Sequence, residues 1–363
     1  MINSTTIPFN SEQLKLARLA AGLSFADIGS VLEVTRQYAS KLENDAIPSM
    51  PQLNLLADAL DVDVSFFNKT RGKVLETEQC NFRSVRASTQ KLKKMIVAQV
   101  EVLNSHIFSA INDIVEFPAI NIYEAEDHEY NSVQNIEVLA EKVRRQLGLG
   151  LGPISHVIKL LESLGCIVVN LADADEKIDA FSTFTGRPIV VRNTQKLSPG
   201  RLRFDFAHEL GHLIMHQGIE TGCRITEQQA NNFASAFLMP RSAFASEFPR
   251  VRGAYLNWDS LVQMKVRWGV SLKAIIYRAK ALGMLSPEKA KSAYIYLSKN
   301  GYTKNERGDE LMLIEQPLML QNAIDLLETH TVNSVIKKSG LNRNMFVTKF
   351  NLRLPSSNHL SAV

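Results

Sequence analysis

Cysteine is scarce: the 363 residues hold three, Cys80, Cys166 and Cys223, far apart and with no CxxC spacing. An odd number without a pairing pattern excludes a disulfide-stapled scaffold and suits a reducing cytoplasm. Long apolar runs are lacking too. None approaches the roughly 18–20 residues that span a bilayer, and the opening MINSTTIPFNSEQ has no signal-peptide core, so a cytoplasmic protein with no membrane contact is expected. Charge of one sign is nearly absent, because 41 Lys and Arg against 37 Asp and Glu leave a net of +4. So small an excess does not by itself point to nucleic acid. With 45% hydrophobic and 21% charged residues, the composition is globular, neither disordered nor collagen-like. At roughly 100–200 residues per domain, the chain makes two or three domains, each with a core.

Four regions separate by pattern. Residues 1–70 carry short amphipathic helices with tight turns. Residues 71–118 read as a helical linker, with Lys91, Lys93 and Lys94 ahead of an apolar-periodic stretch near 95–115; the lysines suit a solvated helix face. Residues 119–285 alternate helices with β-rich runs. Residues 286–363, opening at Ser286-Pro287, form a mostly helical tail, with helical stretches at 318–327 and 333–350. The tail suits a cap on the third region, or a second helix-turn-helix-like unit. Within the third region, residues 139–147 and 154–164 have helical spacing, and Gly165 stops the second. The short β-branched run 166–170 reads as a strand, as do 178–184 and 188–191. Ser198-Pro199-Gly200 then opens a long helix through Met215. A small sheet feeding such a helix is an α+β arrangement.

That helix holds the strongest chemical signal, Phe206-Ala207-His208-Glu209-Leu210-Gly211-His212-Leu213-Ile214. His208 and His212 share one helical face and can hold one Zn²⁺. Glu209 points to the open coordination side, where it can take a proton from water and pass it to a leaving amine. The third ligand must leave a position free. A metzincin would place glycine and histidine where Met215 and Gly218 stand, so that pattern fails. His216 shares the face, but histidines at i, i+4 and i+8 spread over about 12 Å of helix and do not converge on one ion. A structural role, or a hydrogen bond to a ligand, suits it better. Glu227 opens a second helix whose Ala230, Phe233, Ala234 and Phe237 could pack on the first, completing a His₂Glu set. Asn231, one turn on, could hydrogen-bond the free ring nitrogen of a ligating histidine. A bare HExxH also recurs by chance in helices whose histidines only pack; the apolar flanks and the glutamate-bearing second helix favour the metal.

HELGHLIMH followed by EQQANNFASAFLMP resembles the ImmA/IrrE family of zinc-dependent endopeptidases, whose fold is a minimal, gluzincin-like zincin. Gly150-Leu151-Gly152-Pro153, Ile178-Asp179-Ala180-Phe181-Ser182, Arg201-Leu202-Arg203-Phe204 and Val270-Ser271-Leu272-Lys273-Ala274 extend the resemblance over residues 119–285. It implies Zn²⁺ as cofactor, His208, His212 and Glu227 as its ligands, and Glu209 as the catalytic acid and base. Family members of known role cleave helix-turn-helix repressors and so release stress or mobile-element genes. The loop between His212 and Glu227 is short for the family, which implies a reduced cleft wall there.

In the N-terminal region, residues 13–21 form an amphipathic helix ended by Gly22. Ser24 reads as N-cap of a helix at 25–32 and Thr35 as N-cap of one at 36–42. Joined by Glu33-Val34, the two have helix-turn-helix spacing, in which the second lies in the major groove. Residues 53–60 add a helix that closes the core. Ala26-Asp27-Ile28, the run from Val34 to Glu43, and Ile47-Pro48-Ser49 resemble the all-α, lambda-repressor-like XRE family over residues 11–67. The resemblance implies that Thr35, Arg36, Gln37, Ser40 and Lys41 face double-stranded DNA, Arg36 reading guanine and Gln37 adenine by bidentate bonds. Two features oppose it. The turn position that favours glycine holds Glu33. Residues 1–70 also carry 5 Lys and Arg against 8 Asp and Glu, a net of −3. An acidic module needs dimerisation, or help from Arg83, Arg86, Lys91, Lys93 and Lys94, to hold DNA. A protein-docking helical module is the other reading of this region.

The expected protein is therefore a multidomain, homodimeric transcriptional regulator. It joins an XRE-type domain to a zinc endopeptidase that cleaves a repressor or antitoxin. The rival, from another class, is a non-catalytic regulator or antitoxin whose zincin-like domain binds a partner or senses a signal.

Overall fold

The computed structural model describes residues 9–72, 74–75, 90–171, 180–193, 198–219, 221–250, 256–302 and 305–356. Cys80, Arg83, Arg86, Ile178 and Asp179 lie outside them. The N-terminal lobe opens with α1 (Ser11–Ala20), α2 (Phe25–Leu32), α3 (Arg36–Lys41) and α4 (Met50–Ala59), then a 3-10 turn at Val64–Asn68. Local chemistry sets these boundaries. Ser24 and Asp27 close a capping box at the start of α2, and Thr35 accepts from the Tyr38 amide at the start of α3. Glu33, between them, is left-handed, with φ 54°.

Helix α5 (Gln90–Val102) continues through a π turn (Leu103–Phe108) into α6 (Ser109–Asn112). The apolar-periodic positions of this helical stretch are buried. Ile96, Val100, Leu103 and Ile107 are at most 1% exposed, inside the same core as α1 to α4. Gln99 donates to the Ala20 carbonyl at the end of α1 (3.0 Å), and Arg71 ties Glu12 to Glu101. Lys91 and Lys94 are exposed as expected, whereas Lys93 is buried.

The second lobe runs α7 (Val133–Gln146), α8 (Val157–Ser163), β1 (Ile167–Leu171), β2 (Phe181–Thr185), β3 (Arg187–Asn193), α9 (Pro199–Met215) and α10 (Arg224–Leu238). It continues with α11 (Arg241–Glu247), α12 (Trp258–Trp268), α13 (Leu272–Ala281) and α14 (Pro287–Lys299). The sheet order is β1-β3-β2, with β1 parallel and β2 antiparallel to β3. Alternation along the strands divides two cores between the sheet's faces. Ile167, Val169, Leu171, Phe181, Ile189 and Val191 join the N-terminal core, while Cys166, Val168 and Val190 join the core of α7 to α14. The fold is mostly helical, with the α+β lobe expected around the metal motif.

The first half of the tail lies on the second lobe, as the cap reading expects, and the second half leaves it. Helix α14 packs on α13, and the strap after it is held by buried ion pairs, Lys265 with Glu306 and Arg203 with Glu315. Glu162 accepts from the Leu318 and Met319 amides and so starts α15 (Met319–Asp325). From there α15, α16 (Thr329–Ser339) and a π turn (Met345–Lys349) enter the N-terminal core. Asp63 N–H donates to Gly340 O and Asn342 N–H to Asp61 O. Apolar side chains such as Val335, Leu341 and Phe346 must be buried, and the flank of the N-terminal lobe is where they are. No helix among the described residues is long and apolar enough to cross a membrane.

Candidate metal centre and DNA-facing surface

Helix α9 places His208 and His212 one turn apart, and α10 crosses it to bring in Glu227 from its own first turn. Gly211 permits the crossing: a Cβ there would stand 3.1 Å from the Phe233 ring and 3.4 Å from Ala230 Cα. His208 Nε2 lies 3.0 Å from His212 Nε2, and each is 3.4 Å from a Glu227 oxygen. Ligands at about 2.0–2.2 Å around a tetrahedral zinc lie about 3.3–3.6 Å from one another, close to these separations. His208 and His212 are at most 1% exposed, and the Glu227 side chain is 19% exposed.

The hydrogen bonds behind the cluster fix how the two ligand rings are turned toward Glu227. Gln229 Nε2 donates to the Tyr130 carbonyl (3.1 Å), so its Oε1 faces His216 Nε2 (3.0 Å) and accepts from it. His216 Nδ1 is then an acceptor, and His212 Nδ1, 2.8 Å away, is the donor. His212 Nε2 is thereby left as a bare lone pair. Asn231 Oδ1 does the same for His208 by accepting from its Nδ1 (3.1 Å). Two lone pairs facing each other at 3.0 Å, beside a carboxylate, form a donor set that fits a cation. Burial first, then the neighbouring His212, pull His216 down to about 4, so it stays neutral in this chain. Tyr130 packs edge-on against its ring.

Glu209 is fully buried beside the ligands, and Ser182 Oγ on β2 donates to its Oε2 (2.6 Å). Ser182 and Gln229 lie in runs that carry the family resemblance, which gives neither a role, and Tyr130 lies in none. The signal of Gln229 and Tyr130 is an amide and an aromatic ring that reach the histidines from α10 and from the turn before α7, and no local spacing reveals that.

On the other lobe, Thr35, Arg36, Gln37 and Lys41 are exposed along the start and outer side of α3, and Ser40 is half-buried. Thr35 also spends its hydroxyl oxygen on the helix cap.

Fold and site thus define a two-lobed protein, a helix-turn-helix lobe joined to a metallopeptidase-like lobe. Residues 11–65 match the model of a helix-turn-helix domain, and residues 161–280 match that of the IrrE N-terminal-like domain of the M78 peptidases. The second match contains Ser182, His208, Glu209, His212 and Glu227. No curated protein matches the chain.

Proposed function

We propose that the chain is a transcriptional regulator of the cytoplasm that binds operator DNA as a homodimer. Its second lobe is a zinc-dependent endopeptidase acting on a repressor- or antitoxin-type protein. The observation that carries the reading is the meeting of two imidazoles, Glu227 and a held Glu209, in a chain whose other lobe is a helix-turn-helix. His208, His212 and Glu227 would hold Zn²⁺, which polarises a peptide carbonyl and makes water acidic near neutral pH. Asn231 and His216 orient the two imidazoles through their Nδ1 atoms. Glu209 carries the proton, from water to the nitrogen of the leaving amine. Ser182 fixes one Glu209 oxygen, so the carboxylate meets the water in one orientation.

Incubating the purified protein with repressors and antitoxins encoded beside its gene, with and without chelator, tests the reading. Glu209→Gln keeps size and polarity but accepts no proton, so it should retain zinc and abolish cleavage. One observation favours a non-catalytic sensor instead: His208 and Glu209 are fully buried, whereas hydrolysis requires a peptide to reach them. Identical behaviour of wild type and Glu209→Gln in every cleavage and regulatory assay would establish that sensor.

A further inference from the structure

The helix-turn-helix lobe is acidic by count, but much of its acid is already paired. Glu43 pairs with Arg18 at the floor of α3, and Glu12 with Arg71. Asp61 accepts from Asn344, and Asp63 lies beside Lys69 and Lys337, where the lobe meets the C-terminal helices. A cleft of about 580 Å³ at the start of α3 is lined by Arg36, the first turn of α2, Arg18 of α1, and Lys91 and Lys94 of α5, with no carboxylate among the described residues of its lining. Leu23 and Phe25 give it an apolar wall. Arg36, Lys91 and Lys94 are exposed and form no ion pair among the described residues, although Lys91 is near enough to Asp27 to help lower its carboxyl. The N-terminus of α2 adds no free positive end, because Asp27 and Ser24 already cap it.

In a helix-turn-helix the first helix crosses the sugar-phosphate backbone and the start of the second enters the groove. The cleft opens between these two features, so the backbone of a bound duplex passes its mouth. We propose that Lys91 and Lys94 form a phosphate clamp for the DNA strand flanking the α3 site, with deoxyribose against the apolar wall. The clamp rests on the DNA reading above. It assigns the missing positive charge to α5, a core helix outside the helix-turn-helix itself.

The test is a salt titration of operator and random DNA with the full-length protein. Each lost phosphate contact flattens the log–log salt slope by about 0.9, so Lys91→Ala/Lys94→Ala, which removes two contacts from each protomer of the dimer, should flatten it by about 3.6. Affinity should fall by the same factor on both DNAs, since phosphates carry no sequence. Lys91→Arg/Lys94→Arg should restore the slope. Lys291→Ala/Lys299→Ala, the same charge change on α14, should leave it unaltered and so separates contact from net charge. Wild-type binding with an unchanged slope in the clamp variant would overturn the clamp alone. So would a loss confined to the operator, or an equal loss in the α14 variant. No binding by wild type at low salt would overturn the DNA reading and the clamp together.

Discussion

Each residue of the metal centre is answerable to one proton position. Glu227→Ala leaves two ligands, which hold zinc poorly, so metal analysis after dialysis should find most of the zinc gone. Full occupancy would remove Glu227 from the set and reopen the case for His216. Gln229→Leu touches no ligand, yet it frees His216 to take either tautomer and so unsettles His212. Zinc affinity should fall about tenfold in competition with a chelating dye, because hydrogen-bond partners behind ligands typically contribute 10–100-fold. Unchanged affinity would show that the chain from Tyr130 to His212 does not set the tautomer. The ligand spacing was legible in the sequence because His208 and His212 obey the period of one helix. Ser182 and Gln229 were not, since their atoms reach the site from a strand and from a crossing helix, across separations that no local pattern encodes.

Elements were legible where their ends carry side-chain chemistry. Residues 25–32 were readable to the residue because Ser24 and Asp27 cap them and Thr35 begins the next helix. Helical spacing over 154–164 starts three residues ahead of α8, which begins at Val157, where the His156 ring accepts from the Lys159 amide, an unusual cap. Glu33 is the position at which sequence and fold disagree. The turn holds it at φ 54°, a conformation that costs a residue with a Cβ about 1–2 kcal/mol. Glu33→Gly should therefore raise stability by about 1 kcal/mol, read as a higher urea midpoint, whereas Glu33→Ala should not. Gly211→Ala works in the opposite direction. Its Cβ would press on Phe233 at 3.1 Å, forcing α9 and α10 apart and carrying Glu227 away from the histidines. A loss of about 1–3 kcal/mol, with weaker zinc binding, is expected.

Across the whole molecule, parts distant in sequence meet where no periodicity could announce it. The 3-10 turn before α5, the π turn after it and the end of α16 converge on His106, which is 5% exposed. Its ring stacks on Phe66 at 4.4 Å, and its Nδ1 donates to the Ser339 carbonyl at 2.9 Å. Burial lowers its pKa to about 4; the Ser339 bond opposes that shift and the nearby Lys69 assists it. The folded state therefore wants the neutral ring, while the unfolded chain protonates near 6.5. The contribution of His106 is complete above pH 6.5, shrinks as the pH falls, and is lost once the pH passes below about 4. At pH 5 the junction should be about 2 kcal/mol weaker than at pH 7. Hydrogen exchange of the α5 and α16 amides, corrected for intrinsic rates, should show lower protection at pH 5. His106→Gln, which cannot ionise, should start less stable and lose little more between the two. Equal protection of the wild type at both values would mean that water reaches the ring, and that the C-terminal helices do not seal the helix-turn-helix lobe at this point.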